Sequence, residues 1–216
     1  MKNIKKLSFL PLLLFVMLLT ACIIKIPKAD NQTNQNTTQT TKTEQIKHAE
    51  SQVIAPVKEF EQRITKKPFG IFITPQTSPV QPERFSGFHT GVDVEFDDVK
   101  EDVEVLAISD GVVEHSGWVT GYGGVVAISH IINNDNYLAI YGHLNSESLI
   151  VKDQEVKKGQ QIGILGQAKT TQTDGERKHL HLAIYKGKDL NLKGYVKNKE
   201  ELLLWINPET LINSKE

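Results

Sequence analysis

The sequence predicts an all-β domain built from antiparallel strands, and three observations support this fold class. Short apolar runs rich in β-branched residues recur through the second half of the chain. Turn-forming clusters of Gly, Asp and Asn separate these runs. In the stretches Tyr137–Leu144 and Lys178–Tyr185, successive side chains alternate between two faces, as on a strand with one buried face. The predicted strands are Val103–Ile108, Gly111–Glu114, Val125–Ile131, Tyr137–Tyr141, Ile162–Leu165 and Leu180–Tyr185.

The N-terminus has the pattern of a bacterial lipoprotein signal. Three lysines precede the apolar run Leu7–Ala21, which is shorter than the roughly 20 residues that a membrane span needs. The run ends in Leu19–Cys22, which resembles a lipobox and holds the single cysteine of the 216-residue chain. We therefore expect residues 1–21 to be removed and Cys22 to carry lipid at the outer face of a bacterial membrane. The alternative is a plain membrane anchor with an incidental cysteine.

Residues 22–52 are predicted to be a lipid-anchored, disordered tether. The stretch Ala29–Gln45 contains almost no apolar side chains and cannot bury enough surface to fold. A flexible segment of this length spans on the order of 30 Å, enough to place a domain near material outside the membrane. The net charge of −1 gives no electrostatic basis for binding nucleic acid.

Short helical segments are predicted on both sides of the β domain. In the leading segment, residues 53–78, the apolar spacing over Val53–Thr65 predicts a short helix. In the C-terminal tail, residues 191–216, Asn198 is expected to cap a helix that runs to Trp205, with Pro208 beyond its end. The predicted β domain then occupies residues 79–190.

The fragment His179-Leu180-His181 is the first sign of chemistry. On a strand the two histidines share one face, with Cα atoms about 7 Å apart, while the leucines point into the core. One imidazole can bind a metal while the other reaches groups around it. The alternative is a solvated strand face, for which histidine is an uncommon choice.

His89 and Asp93 offer a second imidazole and a carboxylate. On a straight strand they would lie about 13 Å apart, but Gly91 between them permits a bend. Since the chain has one cysteine, a thiolate zinc site is excluded. Histidine and carboxylate ligands suit catalytic rather than structural zinc.

Two further histidines lie in or directly after predicted strands. His143 follows the alternating run Tyr137–Tyr141 and projects from its end. His130 shares a face with Val126 and Ile128, which favours a hydrogen-bonded histidine in the core over a catalytic one.

The order of these motifs resembles the lysostaphin-type (LytM-like) zinc metallopeptidases over roughly residues 80–190, about half of the chain. The matching pieces are His89–Asp93, Gly121–Gly124, Tyr141–Leu144, Gly159–Gly163 and His179–His181. The resemblance implies a β-sandwich catalytic domain in which His89, Asp93 and His181 hold one zinc ion. It also implies that His143 and His179 are catalytic histidines beside the open metal position.

Two departures from the family pattern flank the second motif. Arg177-Lys178 replaces the usual Gly-Pro, and Leu182-Ala183 replaces the usual Phe-Glu. Neither removes a ligand, but the basic pair would alter the groove beside the site. An upstream Asn ligand found in some members has no clear equivalent here, so an autoinhibited state is not supported.

The resemblance and the N-terminus together predict a membrane-tethered zinc endopeptidase that cuts peptide cross-links or stem peptides of peptidoglycan. One alternative is a non-catalytic regulator of cell-wall hydrolases on the same fold, which would have those hydrolases as partners. Such members lose ligands, whereas all five positions are intact here. A zinc carboxypeptidase of wall peptides is the third interpretation.

Overall fold

A computed structural model of the protein describes residues 52–214, so the predicted signal peptide, lipidated Cys22 and most of the tether lie outside it. Two short α-helices, α1 (Lys199–Leu202) and α2 (Pro208–Asn213), and a 3-10 turn at Thr171–Thr173 accompany the strands. The strands are β1 (Phe72–Ile73), β2 (Gly87–His89), β3 (Gly91–Glu95), β4 (Glu104–Leu106), β5 (Gly111–Val119), β6 (Gly123–Ile132), β7 (Asp135–Leu144), β8 (Glu155–Val156), β9 (Gln161–Ile164), β10 (His179–Lys186), β11 (Tyr195–Val196) and β12 (Trp205–Ile206).

The strands form three sheets, and every pairing within residues 52–214 is antiparallel. The largest sheet has seven strands in the order β12-β10-β7-β6-β5-β8, with β3 also paired to β10. A three-stranded sheet has the order β1-β2-β11, and β4 pairs with β9. The predicted all-β class is confirmed.

The main core lies on one face of the seven-stranded sheet. Leu180, Leu182 and Ile184 of β10 are fully buried there, as their alternation with the histidines predicted. They belong to one apolar cluster with Val105 of β4 and Ile162 of β9, so the two-stranded sheet supplies the second layer. The opposite face of β10 carries His179 and His181 at one end, while Ala183 and Tyr185 at the other end pack in a second apolar cluster.

The predicted helix over Val53–Thr65 is wrong. The segment forms turns, and Glu59 adopts a left-handed φ of 53°. Its first residues bond to a distant part of the chain, since the N–H of Ile54 donates to the carbonyl of Ile108 at 2.9 Å, and only isolated turn bonds, such as that from the N–H of Arg63 to the carbonyl of Glu59, form within it. The apolar spacing reflected burial of Val53, Val57 and Phe60 against the core, which turns can achieve as well as a helix.

The C-terminal tail is only partly helical. Asn198 caps α1 as predicted, but the helix ends at Leu202, and Trp205 is a strand residue that pairs with Tyr185 of β10. The indole of Trp205 is buried against Tyr185, which favours the strand. Pro208 begins α2 instead of ending a helix, a position where its missing N–H costs nothing.

The flanking segments also extend the three-stranded sheet. Phe72–Ile73 from the leading segment pairs with β2 on one side, and Tyr195–Val196 from the tail pairs with it on the other. Among the described residues, no helix is long and apolar enough to cross a membrane.

Candidate active site

A bend between β2 and β3 brings His89 and Asp93 together. β2 pairs with β1 and β11, whereas β3 pairs with β10 in the large sheet, so the chain changes sheets between these residues. The Nε2 of His89 lies 3.3 Å from Oδ1 of Asp93. Gly91 permits the close approach, because a Cβ there would lie 2.2 Å from the carbonyl oxygen of Leu182.

His181 completes a triangle of donor atoms. Strand register places it opposite Asp93, with its Nδ1 3.1 Å from Oδ1 of that carboxylate. The same Nδ1 lies 3.0 Å from Nε2 of His89. In a tetrahedral site with zinc–ligand bonds of 2.0–2.2 Å, donor atoms lie about 3.3–3.6 Å apart. The donor set and its spacing therefore fit a zinc ion.

The tautomer of His89 suits a metal ligand. Its Nδ1 lies 3.3 Å from the carbonyl oxygen of Pro68 and donates there, which leaves the lone pair of Nε2 directed at the other two donors. The Nε2 of His181 is buried and has no hydrogen-bond partner within residues 52–214.

Asp93 is ionised although it is buried. Burial alone would raise the pKa of its carboxyl group, but the charge of Arg177 and the hydrogen bond with His181 help to outweigh this and hold the pKa well below its usual range. A carboxylate in this state is ready to bind a cation.

His179 and His143 lie beside the triangle. The Nδ1–H of His179 donates to the carbonyl of Arg177 at 2.9 Å, and its Nε2 lies 3.5 Å from Oδ2 of Asp93. The ring centroid of His143 is 4.2 Å from that of His179. Burial lowers the pKa of His143 to about 3, and burial together with the charge of Arg177 holds the pKa of His179 well below its usual value. Both imidazoles are therefore neutral at pH 7 in the metal-free protein.

The backbone helps to aim His143. The residue has a φ of 63°, in the left-handed region that histidine tolerates better than most residues. This conformation occurs near the end of β7, where the preceding Gly142 pairs with His181.

Four of the five predicted site residues line one cavity of about 290 Å³. They are Asp93, His143, His179 and His181, while His89 lies behind them with its ring fully buried. The structure thus brings all five predicted residues together. His130 lies elsewhere and is the hydrogen-bonded core histidine that was expected, with Nδ1 2.9 Å from the carbonyl oxygen of Asp110.

Comparisons with known proteins identify the family of the chain. The model of Peptidase family M23 matches residues 87–192, which include all five site residues. A protein of Yersinia enterocolitica, "Lipoprotein NlpD", is 37% identical over 93 residues, which cover 43% of this chain and 88% of that one. The chain belongs to peptidase family M23.

The chain is also similar to two further proteins. "Murein hydrolase activator NlpD" of Escherichia coli (strain K12) is 39% identical over 94 residues, which cover 43% of this chain but only 22% of that protein. The catalytic domain of the antimicrobial peptidase lysostaphin from Staphylococcus simulans aligns with 68% of this chain and 90% of its own. Its sequence identity is 21% and the TM-score is 0.46.

Arg177 has a role in this M23 site that the sequence did not reveal. We expected Arg177-Lys178 to form a basic pair beside the groove, but the arginine is 4% exposed and its Nη2 donates to Oδ2 of Asp93 at 2.7 Å. Lys178 points away, with its Nζ donating to the carbonyls of Val99 and Glu101. Strand alternation was the available signal, since it places residue 177 on the same face as the two histidines.

Two tyrosines that were not predicted as site residues also border the cavity. Tyr195 of β11 stacks on His89 at a centroid distance of 5.1 Å. Tyr122 packs edge-on against His181 at 5.4 Å, and its buried hydroxyl has no partner among residues 52–214. Tyr122 belongs to the predicted glycine turn, whereas Tyr195 follows the predicted end of the domain.

Proposed function

We propose that this protein is a zinc metalloendopeptidase that hydrolyses peptide cross-links or stem peptides of peptidoglycan. The observation that carries the proposal is the triangle of donor atoms from His89, Asp93 and His181, with separations of 3.0–3.3 Å, on the cavity that His143 and His179 also line. Membership of a peptidase family supports the same reaction class.

His89, Asp93 and His181 would hold the zinc. Three protein ligands leave one position open, as catalytic sites require, and zinc there would polarise a peptide carbonyl and lower the pKa of a water molecule. Asp93 would bind through Oδ1, because Arg177 occupies Oδ2.

His179 and His143 would divide the proton transfers. With its Nδ1–H held by the Arg177 carbonyl, His179 presents the lone pair of Nε2 to the cavity and can accept a proton there. The Nδ1 of His143 is buried with no partner among the described residues, so it is available to the reacting peptide. One imidazole accepts a proton while the other donates to the developing oxyanion or the leaving amine.

The proposed location of the domain in the cell envelope indicates the substrate class. A lipid on Cys22 and the polar segment after it would place the domain in the cell envelope, on the outer face of a bacterial membrane, within reach of the wall. Two of the M23 relatives are named for murein hydrolase activation or as lipoproteins, which supports this location.

Incubation of purified protein with cross-linked peptidoglycan tests the proposal. Mass spectrometry of the released muropeptides should show opened cross-links or shortened stem peptides, and a chelator should abolish them. Release of terminal D-alanine alone would identify a carboxypeptidase instead. Protein that binds zinc in solution but releases no product from any wall peptide would contradict a hydrolytic function.

A second candidate is an activator of other wall hydrolases, favoured by the 39% identity to a murein hydrolase activator. Under this alternative, zinc-free protein would accelerate wall hydrolysis by a separate amidase and would have no activity alone. Assays of the His143→Ala variant with and without such an amidase separate the two functions, because only activation survives loss of the imidazole.

A further inference from the structure

Arg177 is a buried arginine that joins the candidate zinc ligands to a second carboxylate. Its Nη2 donates to Oδ2 of Asp93 and to Oε1 of Glu95, both at 2.7 Å. Its Nε donates to Oε2 of Glu95 at 2.8 Å. The guanidinium therefore forms a fork on Glu95 while a single N–H group reaches Asp93.

The charge of Arg177 is shared between two carboxylates, Asp93 and Glu95. The Nζ of Lys66, 3.1 Å from Oε2 of Glu95, adds a further positive charge at the outer edge. Besides its charge, the guanidinium gives Asp93 a directional hydrogen bond at one oxygen only. It holds Oδ2 in place and leaves Oδ1 directed at the nitrogens of His89 and His181.

The backbone of the same residue orients a second group. The carbonyl of Arg177 accepts the Nδ1–H of His179, so the fixed side chain of Arg177 also anchors the carbonyl beside it. Strand β3 brings Glu95 within reach of the Arg177 side chain, because Glu95 lies opposite His179 in the strand register.

We propose that Arg177 is a positioning residue that fixes Asp93 as a one-oxygen metal ligand and thereby raises the zinc affinity of the site. Groups that hydrogen-bond to a metal ligand commonly change metal affinity by about 10–100-fold when they are replaced. The inference rests on the zinc site proposed above and adds a requirement for the arginine fork.

Zinc affinity, measured by competition with a chromophoric chelator, tests the inference. Arg177→Lys keeps the positive charge but loses the planar guanidinium fork and part of the side chain's reach, so we expect about 10–100-fold weaker binding. Arg84→Lys is the matched control, because Arg84 also bonds two acidic residues, Asp174 and Glu176, but does not touch the triangle. Its zinc affinity should equal that of the unsubstituted protein.

A second measurement separates positioning from a general loss of structure. Tetrahedral cobalt(II) absorbs visible light more strongly than five-coordinate cobalt(II). If Arg177→Lys frees Asp93 to bind through both oxygens, the cobalt-loaded variant should absorb more weakly than the unsubstituted protein. If Arg177→Lys does not fold, the neutral pair Arg177→Gln with Glu95→Gln gives the same comparison, with weaker zinc binding again expected.

The outcomes distinguish this inference from the proposed function. Unsubstituted protein that binds no zinc would overturn the proposed metal site and the inference with it. Tight zinc binding by the unsubstituted protein, combined with equal or tighter binding by Arg177→Lys or by the neutral pair, would overturn the role of Arg177 alone.

Discussion

The imidazoles of His143 and His179 lie 4.2 Å apart, centroid to centroid, although they come from different strands. β7 and β10 are neighbours in the sheet, and their register brings the end of one strand to the start of the other. This pairing places two neutral imidazoles beside the donor triangle without making either part of it.

Replacement of His143 by alanine should remove turnover but not metal. General acid–base groups contribute about 10²–10⁴-fold to rate, so hydrolysis should fall by that factor while zinc content stays at one per chain. His115→Ala is the control, because His115 lies in β5 and does not line the cavity. Unchanged hydrolysis by His143→Ala would remove that residue from the mechanism.

Replacement of Asp93 or His181 by alanine should abolish zinc retention. Each substitution removes one corner of a triangle whose sides are 3.0–3.3 Å, and two ligands hold zinc far more weakly than three. Atomic absorption after gel filtration measures the metal. Stoichiometric zinc in Asp93→Ala would show that the ligand assignment is wrong.

Addition of a methyl group at Gly91 should disrupt the join between β3 and β10. The new Cβ would lie 2.2 Å from the carbonyl oxygen of Leu182, so the strands must separate. We expect Gly91→Ala to lower the free energy of unfolding by about 1–3 kcal/mol and to weaken zinc binding. Gly117→Ala is the control, since its Cβ would come no closer than 3.8 Å to a neighbour. Equal unfolding curves for the two variants would contradict the expected clash.

The metal-free protein should become less stable as the pH is lowered, partly because of His130. Burial lowers the pKa of this imidazole to about 4, below the value of about 6.5 expected in the unfolded chain. The unfolded chain therefore takes up the proton first, and the stability present above pH 6.5 is lost as the pH falls towards 4. Between pH 7 and 5 the loss should be about 2 kcal/mol.

Urea unfolding of His130→Gln isolates this contribution. Other buried histidines titrate equally in both proteins, so the difference between their pH dependences belongs to His130. The variant should lose less stability between pH 7 and 5 than the unsubstituted protein. Parallel pH dependences would mean that His130 titrates normally in the folded state.

The sequence predicted the parts of the site that follow from strand geometry. Alternation alone placed His179 and His181 on one face and Leu180 and Leu182 on the other, because a strand allows no other arrangement. Gly91 indicated a bend, but its direction depends on β2 and β3 joining different sheets. That pairing involves Tyr195, about one hundred residues away, and local patterns do not encode it.

The wrong sequence predictions also arise from contacts between residues that are distant along the chain. The apolar spacing of Val53, Val57 and Phe60 fits a helix and a turn-rich segment equally well. The segment forms turns and bonds to residues 106–108, about 50 positions later in the chain. Arg177 looked like a surface residue because arginine is rarely buried. Its carboxylate partners lie on β3, more than 80 positions earlier in the chain.

The triangle of donor atoms spans two sheets, since His89 belongs to the three-stranded sheet and Asp93 and His181 to the seven-stranded one. An ion bound there would act as a cross-link between them, so part of its binding free energy would be folding free energy. Chelation should then loosen the small sheet before the large one melts. Amide hydrogen exchange would show this as faster exchange in β2 and β11 while β6 and β7 stay protected.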